Sequence, residues 1–272
     1  MATEFVDHDT KSKWRSSLSR LLRNCIAQQV RWSVAFDGWL PPEYRLDGNG
    51  FFTDSFHGKF LRHGDLVYDV GGGKTPIISA DRKRELGLRV VGLDISAAEL
   101  ARAPAGCYDN VVCADITTYR GDESADVVIC QALLEHVPST EDALRAIASI
   151  LKPSGVAVVF VPSRNAVFAR LNLVLPERVK KALLFTIFPA ARDVQGFRSY
   201  YNRCTPRDFE DMARACGLEV EERHLFYTSM YFSFFLPLHL LWRSWVLLFR
   251  MFAKEQAAET FIYAFRKPLR GV

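Results

Sequence analysis

Short apolar runs alternate with helical segments along most of the chain. Seven runs have the β-branched and aromatic residues typical of buried strands. They are LVYDV (66–70), LRVVGLD (88–94), NVVCAD (110–115), ADVVICQ (125–131), GVAVVFVPS (155–163), LEVEERHLFY (218–227) and ETFIYAFRK (259–267). Unbroken apolar strands separated by helices indicate a mainly parallel sheet that is covered on both faces. The pattern therefore predicts a doubly wound α/β domain.

Two of the helical segments carry clear periodicity or end signals. In EDALRAIASILKP (141–153) the apolar residues recur at helical spacing. In TPRDFEDMARACG (205–217), Thr205 suits the N-cap, Pro206 the first helical position and Gly217 the end. We predict helices over both segments.

Three segments do not fit this alternation of strands and helices. One is a basic helix within residues 1–60, and the others are insertions at 165–202 and 228–256. A chain of 272 residues is long enough for one large domain. We predict a helical cap over residues 1–60 and one domain over 61–272 that carries the two insertions as further helical caps.

The placement of charge says more than the total. A net charge of +4 is too small to indicate a nucleic-acid partner. Residues 11–31 hold six Lys/Arg and no acid, and residues 223–254 also lack acids. A helix over the first segment places Trp14, Leu18, Leu21, Leu22 and Cys25 on one side, with Lys13, Arg20, Arg23 and Arg31 largely opposite. Basic amphipathic helices commonly lie on anionic membranes. The alternative is a hydrophobic lid over a soluble substrate.

The apolar residues 231–252 are numerous enough to cross a bilayer. Arg243 near their centre and Pro237 both oppose a span. If the strands on either side lie in one sheet, both ends must return to the same side of any membrane. We therefore expect a re-entrant or surface-lying helical pair with its corner at Pro237, and with Trp242, Arg243 and Trp245 near the headgroups.

The cysteines and the N-terminus favour a cytoplasmic protein. The six cysteines are scattered, with no C-x-x-C pair and no zinc-ligand spacing. The segment MATEFVDHDTKSK has no apolar core, so it is not a secretory signal. We expect reduced thiols, no metal and a location on the cytoplasmic face of the membrane.

The loop VYDVGGGKTP follows the first strand. Three consecutive glycines allow a sharp turn and a close approach to a ligand. A P-loop would need a glycine in place of Tyr68, and a dinucleotide fingerprint would need one in place of Pro76. Asp94 suits a ribose in either a dinucleotide or an adenosyl ligand. Asp69 would repel a pyrophosphate but suits a ligand that carries an ammonium group.

These residues resemble the class I S-adenosylmethionine-dependent methyltransferases and are similar to the methyltransferase type 11 group. The motif D-x-G-x-G begins at Asp69, and VVGLDIS, CADI, ICQALLEHV and LKPSGVAVVFVP extend the resemblance over residues 64–163. It implies a Rossmann-like, seven-stranded sheet with an antiparallel last strand, and S-adenosylmethionine as the cofactor. Asp94 should bind both ribose hydroxyls, and Asp115 the adenine amino group. The cofactor residues that it implies are Asp69, Gly71, Gly72, Gly73, Asp94, Ile95, Asp115, Ile116 and Gln131.

The resemblance also implies residues near the reacting atoms. His136, with Glu135 beside it, suits a general base for a hydroxyl acceptor, or both residues only brace the loop or position the methionine part. Arg198, Tyr200 and Tyr201 close the acceptor pocket or serve as packing residues. Enzymes of this class that modify nucleic-acid bases often carry an Asp/Asn-Pro-Pro-aromatic motif after strand four. This chain has QALL there, which argues against a nucleic-acid partner.

The sequence thus predicts O-methylation of a hydrophobic, lipid or lipid-linked acceptor at the membrane surface. The C-terminal part resembles, more loosely, methyltransferases of bacterial surface-polysaccharide and lipid-linked glycan assembly. Quinone-type and phospholipid acceptors remain open. The alternatives are a soluble small-molecule methyltransferase with a hydrophobic lid and a non-catalytic scaffold that keeps the cofactor fold.

Overall fold

The structure, a computed structural model, describes residues 5–176 and 198–269, with side chains from residue 21 onward. The strands are β1 Leu66–Val70, β2 Arg89–Asp94, β3 Asn110–Cys113, β4 Ala125–Gln131, β5 Leu151–Pro162, β6 Glu219–Phe226 and β7 Thr260–Arg266. They form one sheet in the order β3-β2-β1-β4-β5-β7-β6. Strands β1 to β5 pair in parallel, and β7 pairs antiparallel with both β5 and β6. The predicted α/β fold with an antiparallel last strand is confirmed.

Helices cover both faces of the sheet and form the caps. They are α1 Phe5–Asp37, α2 Gly48–Phe51, α3 Ala80–Glu85, α4 Ala97–Leu100, α5 Thr140–Ile150, α6 Val167–Val174, α7 Pro206–Ala215 and α8 Leu236–Ala253. Helix α2 continues into a π-helical turn, Phe52–Phe56, and a 3-10 turn, His57–Phe60. Further 3-10 turns lie at Pro42–Tyr44, Leu134–His136, Met230–Phe232 and Lys254–Ala257.

The ends of α5 and α7 follow local chemistry. Thr205 caps α7 by accepting the amide of Asp208, and Gly217 ends it in the left-handed region at φ +75°. The helix predicted over 141–153 was too long, because α5 ends at Ile150 and Leu151 pairs with Ala125 in the sheet. Pro153 disfavours helical backbone at the residue before it, so the helix cannot run on through this point.

Each face of the sheet has its own core, because neighbouring strand residues point to opposite faces. Val128 packs with the α5 and α7 side, and Ile129 packs on the other side. Phe52 and Phe56, 0% and 2% exposed, belong to this second core. The segment before residue 60 is therefore anchored to the sheet. The division of the chain at residues 60 and 61 stays a prediction.

The insertion at 228–256 differs from the expected helical pair. Helix α8 is one helix, and Pro237 lies in its first turn, where a missing amide hydrogen is tolerated. Trp242 and Arg243 are not at the surface, being 3% and 1% exposed, whereas Trp245 is 47% exposed. The expected corner at Pro237 was wrong, because this residue only begins the helix. The expected headgroup positions of Trp242 and Arg243 were also wrong, because α8 turns Arg243 towards Asp37 of α1 and buries Trp242 beside it. In the described part of the chain, no helix is long and apolar enough to cross a membrane.

Other predictions for the caps fall partly outside the described residues. The side chains of Lys13, Trp14, Leu18 and Arg20 lie outside them, as do residues 177–197 of the first insertion. Leu21, Leu22, Arg23, Cys25 and Arg31 are exposed on α1. All six cysteines are free thiols, and three are buried: Cys107, Cys130 and Cys204.

Candidate functional site

A cavity of about 460 Å³ opens where the carboxyl ends of four parallel strands meet. Ligands in open α/β sheets bind at this edge. The predicted residues that line it are Gly71, Gly72, Gly73, Asp94, Ile95, Asp115, Ile116, Gln131 and His136. The sheet order β3-β2-β1-β4 arranges them in a row, from Asp115 through Asp94 and the glycine loop to Gln131. The cavity therefore suits an elongated ligand that lies across the strand ends.

The glycine loop needs glycine for two reasons. Gly71 and Gly73 have φ of +83° and +48°, in the region where other residues are strained. A Cβ on Gly72 would overlap the carboxylate of Asp69 and the hydroxyl of Tyr108. The loop therefore turns tightly over β1 and presents backbone to the cavity.

Asp69 lies beneath this loop and does not line the cavity. Its carboxylate is 3% exposed and accepts hydrogen bonds from the Ile77 amide at 3.0 Å and the Tyr108 hydroxyl at 3.1 Å. Burial raises its pKa to about 6. Direct contact with a ligand's ammonium group, as the motif suggested, is not what the geometry shows, because the carboxylate braces the loop from below.

Tyr108 is a site residue that the sequence did not reveal. Its ring packs so closely over Gly92 of β2 that a Cβ there would lie 2.7 Å from it. Gly92 was the available signal, because a glycine inside a strand often marks a close approach. Nothing in the sequence states which residue approaches.

Asp94 and Asp115 each have one carboxylate oxygen held by their own chain. Asp94 Oδ1 accepts the Ser96 amide at 2.8 Å, and Asp115 Oδ1 accepts the Thr117 amide and hydroxyl, both at 2.8 Å. Burial raises the pKa of Asp94. Its Oδ2 faces Gly73, since a Cβ there would lie 3.1 Å from that oxygen. An acceptor in this position suits a ribose diol.

Gln131 joins the cavity to the N-terminal cap. Its Nε2 donates to Asn49 Oδ1 at 2.8 Å and to Thr53 Oγ1 at 2.9 Å. Asn49 and Thr53 were missed by sequence reasoning, because they lie about eighty residues earlier in the chain and no local pattern marks them.

Glu135 and His136 follow β4 in a 3-10 turn. His136 Nδ1 lies 3.2 Å from the carbonyl oxygen of Arg198 and 3.3 Å from Ser199 Oγ. A hydrogen bond to the Arg198 carbonyl requires the hydrogen on Nδ1, whereas the Ser199 hydroxyl can donate to or accept from that nitrogen. His136 lines the cavity. Its ring is therefore held at the cavity wall by contacts at Nδ1, and the general-base role stays a prediction.

Glu135 is buried behind His136 and does not line the cavity. Its carboxyl is 3% exposed, with Oε1 lying 3.7 Å from His136 Nε2 and Oε2 lacking a hydrogen-bond partner. Burial raises its pKa to about 8. Burial thus favours the neutral form of this carboxyl.

The predicted substrate residues lie near this turn, outside the cavity lining. The amides of Tyr200 and Tyr201 donate to the Glu135 carbonyl at 2.7 and 3.0 Å. Tyr201 is 4% exposed, and burial raises its pKa, as a packing residue would show. Tyr200 is 38% exposed, with the Arg198 guanidinium 5.1 Å from its ring centre. Acceptor contact by Arg198 and Tyr200 stays a prediction.

The described residues contain no group of three or more His, Cys, Asp or Glu side chains arranged to hold a metal ion.

Comparison with known proteins places this cavity in a recognised domain. Residues 68–159 match the family described as "Methyltransferase domain". The chain is 31% identical to the ubiquinone biosynthesis O-methyltransferase of Thiobacillus denitrificans over 166 residues, which are 58% of this chain and 66% of that protein. The match thus spans just under two thirds of that relative's length.

Two solved structures share the fold at low identity. The cyclase SpnF superposes with a TM-score of 0.52 at 17% identity, covering 84% of this chain and 86% of that one. Phosphoethanolamine N-methyltransferase 2 of Haemonchus contortus, solved with S-adenosyl-L-methionine, gives 0.51 at 17% identity, covering 86% and 56%. A cyclase and a methyltransferase on one fold show that the fold alone does not decide the reaction.

Proposed function

We propose that this chain is a class I S-adenosylmethionine-dependent methyltransferase that methylates an oxygen atom of a hydrophobic acceptor on the cytoplasmic face of a membrane. S-adenosylmethionine is the cofactor of this family, and the relative named above acts on oxygen. The observation that carries the proposal is the cavity, which is lined by carboxylates, a glycine loop and a histidine.

The residues present fit the cofactor in order. Asp115 is placed for the adenine, Asp94 for the ribose, and the glycine loop for the amino-acid part. The cofactor supplies a methyl group that is already activated by its sulfonium charge. The protein's part is to align the acceptor and to manage its proton.

We assign the removal of that proton to His136. The Arg198 carbonyl oxygen lies 3.2 Å from Nδ1 and orients the ring at the cavity wall, and the ring is assigned the hydrogen of an acceptor hydroxyl. Near neutral pH an imidazole can both accept and release this proton. The turn that contains Glu135 is tied to residues 200 and 201 by two backbone hydrogen bonds, and this keeps the ring in place.

The helical caps support the proposed contact with a membrane, because their polar side chains face inward and large apolar side chains face outward. On α1, three polar residues spaced by four face α8 and the turn before it. Gln29 accepts the Leu236 amide at 2.9 Å, and Ser33 donates to the Ser233 carbonyl at 3.0 Å. Asp37 Oδ2 accepts from Arg243 at 2.6 Å. The polar contacts of this helix pair are therefore internal.

The opposite sides of these helices expose large apolar side chains, which on α1 lie among the exposed Arg23 and Arg31. Leu241, Trp245, Leu248 and Phe252 form a stripe along α8 and are 69%, 47%, 50% and 79% exposed. On α1, the exposed apolar residues include Leu21, Leu22, Trp32, Val34 and Phe36. Helices on the surface of water-soluble proteins have the reverse arrangement. Apolar residues outside and polar residues inside suit helices that lie against lipid.

The apolar face continues towards the cavity. Arg170 of α6 lies 5.7 Å from the ring centre of Phe249, and Phe168 stacks on Tyr231 at 4.6 Å. Burial raises the pKa of Tyr231, and the Glu135 carboxyl raises it further. This continuity supports a route by which a hydrophobic acceptor reaches His136 from the lipid side.

The first experiment tests the enzyme. Calorimetry should show S-adenosylmethionine binding by wild type and much weaker binding by Asp94→Ala. Labelled methyl groups should then enter extracted cell lipids rather than a soluble metabolite pool. Labelling of soluble metabolites alone would favour the soluble enzyme with a hydrophobic lid. Absence of cofactor binding by wild type would leave only the scaffold alternative.

A second experiment tests the membrane. Wild type should sediment with anionic vesicles, and Leu248→Glu should not, because a carboxylate replaces an apolar side chain at the lipid. Val111→Glu is the matched control, since Val111 is also exposed, at 57%, but lies on β3 at the opposite edge of the sheet. A wild type that ignores vesicles and stays monodisperse without detergent would exclude the membrane part.

A further inference from the structure

In the described part of the chain, the N-terminal cap meets the cofactor cavity through two hydrogen bonds, from Gln131 to Asn49 and to Thr53. We infer that Asn49 and Thr53 are positioning residues, which turn the Gln131 carbonyl oxygen towards the cavity to bind the ammonium group of the cofactor. This inference rests on the proposed cofactor, and it assigns to the cap a role in cofactor binding.

The segment that carries these residues is held firmly against the sheet. Gly48 packs so closely on the strand ends that a Cβ there would lie 2.6 Å from Thr260 Oγ1 and 2.7 Å from the Phe226 ring. Phe52 and Phe56 lie in the core one turn apart. Asn49 and Thr53 are also one turn apart on the same segment, so their side chains reach Gln131 from an anchored backbone.

The hydrogen bonds leave one orientation for the Gln131 amide. Thr53 Oγ1 lies 3.0 Å from the backbone carbonyl oxygen of Asn49, which can only accept, so the Thr53 hydroxyl hydrogen points there. Thr53 Oγ1 must then accept from Gln131, and only Nε2 of that side chain can donate. The Gln131 carbonyl oxygen is therefore turned away from Thr53, and the side chain lines the cavity.

At the end of the cavity near Gln131, the ammonium group of the cofactor needs a neutral hydrogen-bond acceptor. Among the described residues, the acids that line the cavity are Asp94 at the end of β2, Glu99 in α4 and Asp115 after β3. If these hold the adenosine, the amino-acid part lies towards β4. The Asp69 carboxylate is buried below the glycine loop there, which favours positive charge nearby without direct contact. The Gln131 carbonyl oxygen supplies the contact that Asp69 does not make.

The test compares two ligands, of which only one carries the ammonium group. S-adenosylhomocysteine carries the ammonium group, and 5′-methylthioadenosine lacks the whole amino-acid part. Thr53→Val keeps the shape but removes the acceptor for Gln131 Nε2, so S-adenosylhomocysteine should bind about five- to tenfold more weakly, the loss expected for one hydrogen bond. Binding of 5′-methylthioadenosine should not change. Thr53→Ser should restore binding of S-adenosylhomocysteine.

Ser55→Ala is the matched control. The Ser55 hydroxyl donates to the Phe51 carbonyl at 3.0 Å, the same kind of bond within the same segment, and it makes no contact with Gln131. Calorimetry should give wild-type affinity for both ligands. Equal weakening of both ligands by Thr53→Val would show a structural role only and overturn the inference, as would unchanged binding of both. A wild type that binds neither ligand would instead refute the proposed function itself.

Discussion

Arg243 offers the sharpest test of how the cap is held. Its guanidinium donates to Asp37 Oδ2 at 2.6 Å and to the Tyr227 carbonyl at 2.7 Å, and it lies 4.4 Å from the ring centre of Trp242. Arg243 is 1% exposed and Asp37 8% exposed. Arg243→Ala would remove the guanidinium from the buried Asp37 carboxylate and leave only His239, whose Nε2 lies 3.0 Å from Asp37 Oδ1, beside it in this cluster.

Breaking a buried ion pair from one side costs about 3 to 5 kcal/mol. At about 2 to 4 °C per kcal/mol for a domain of this size, the melting temperature should fall by about 6 to 20 °C. Chemical denaturation gives the free energy of unfolding directly. Hydrogen exchange should show the loss first in α1 and α8, because Asp37 and Arg243 join these two helices.

Two variants separate this mechanism from a general loss of packing. The double variant Asp37→Leu/Arg243→Met removes both charges and should be more stable than Arg243→Ala, because no buried charge is left unpaired. Arg82→Ala breaks the exposed pair with Glu85 and should cost at most about 1 kcal/mol. If Arg243→Ala cost no more than Arg82→Ala, the buried pair would not hold the cap, and the reasoning would be refuted.

Three further predictions concern the cavity. Burial raises the Glu135 pKa from 4.5 to about 8, so ionisation of this group destabilises the fold increasingly as pH rises between those values. Glu135→Gln should therefore stabilise the protein more at about pH 8.5 than at about pH 5. An equal effect on the free energy of unfolding at both pH values would contradict the shift. Gly72→Ala should lower the melting temperature and abolish cofactor binding, because its Cβ meets the Asp69 carboxylate, whereas Gly58→Ala, with open space around it, should do neither. His136→Ala should lower kcat by about a hundredfold or more with cofactor affinity nearly unchanged, and an unchanged kcat would exclude the base role.

The parts of the site that follow strand ends could be predicted from the sequence. Asp94, Asp115 and the glycine loop each follow an apolar run of strand length, and parallel strands bring their carboxyl ends to one edge of the sheet. These features depend on short-range patterns, namely strand period and turn chemistry. They can therefore be predicted without knowledge of the tertiary contacts.

Tertiary structure decided the contacts between distant segments. Asp37 meets Arg243 across 206 residues, and Asn49 meets Gln131 across 82 residues. Asp69 faces Tyr108 rather than the cavity. The tyrosine ring can lie there because Gly92 has no side chain. No local sequence pattern indicates which two surfaces of the fold will pack together.

Helix α8 shows the difference most clearly. Its sequence determined an apolar helix with a central arginine, and from that pattern alone the arginine belonged with the headgroups. The structure places Arg243 inward on Asp37 and leaves Leu241, Leu248 and Phe252 outside. A buried guanidinium is stable only where another segment supplies an anion, and the position of that segment is set by packing across the whole fold.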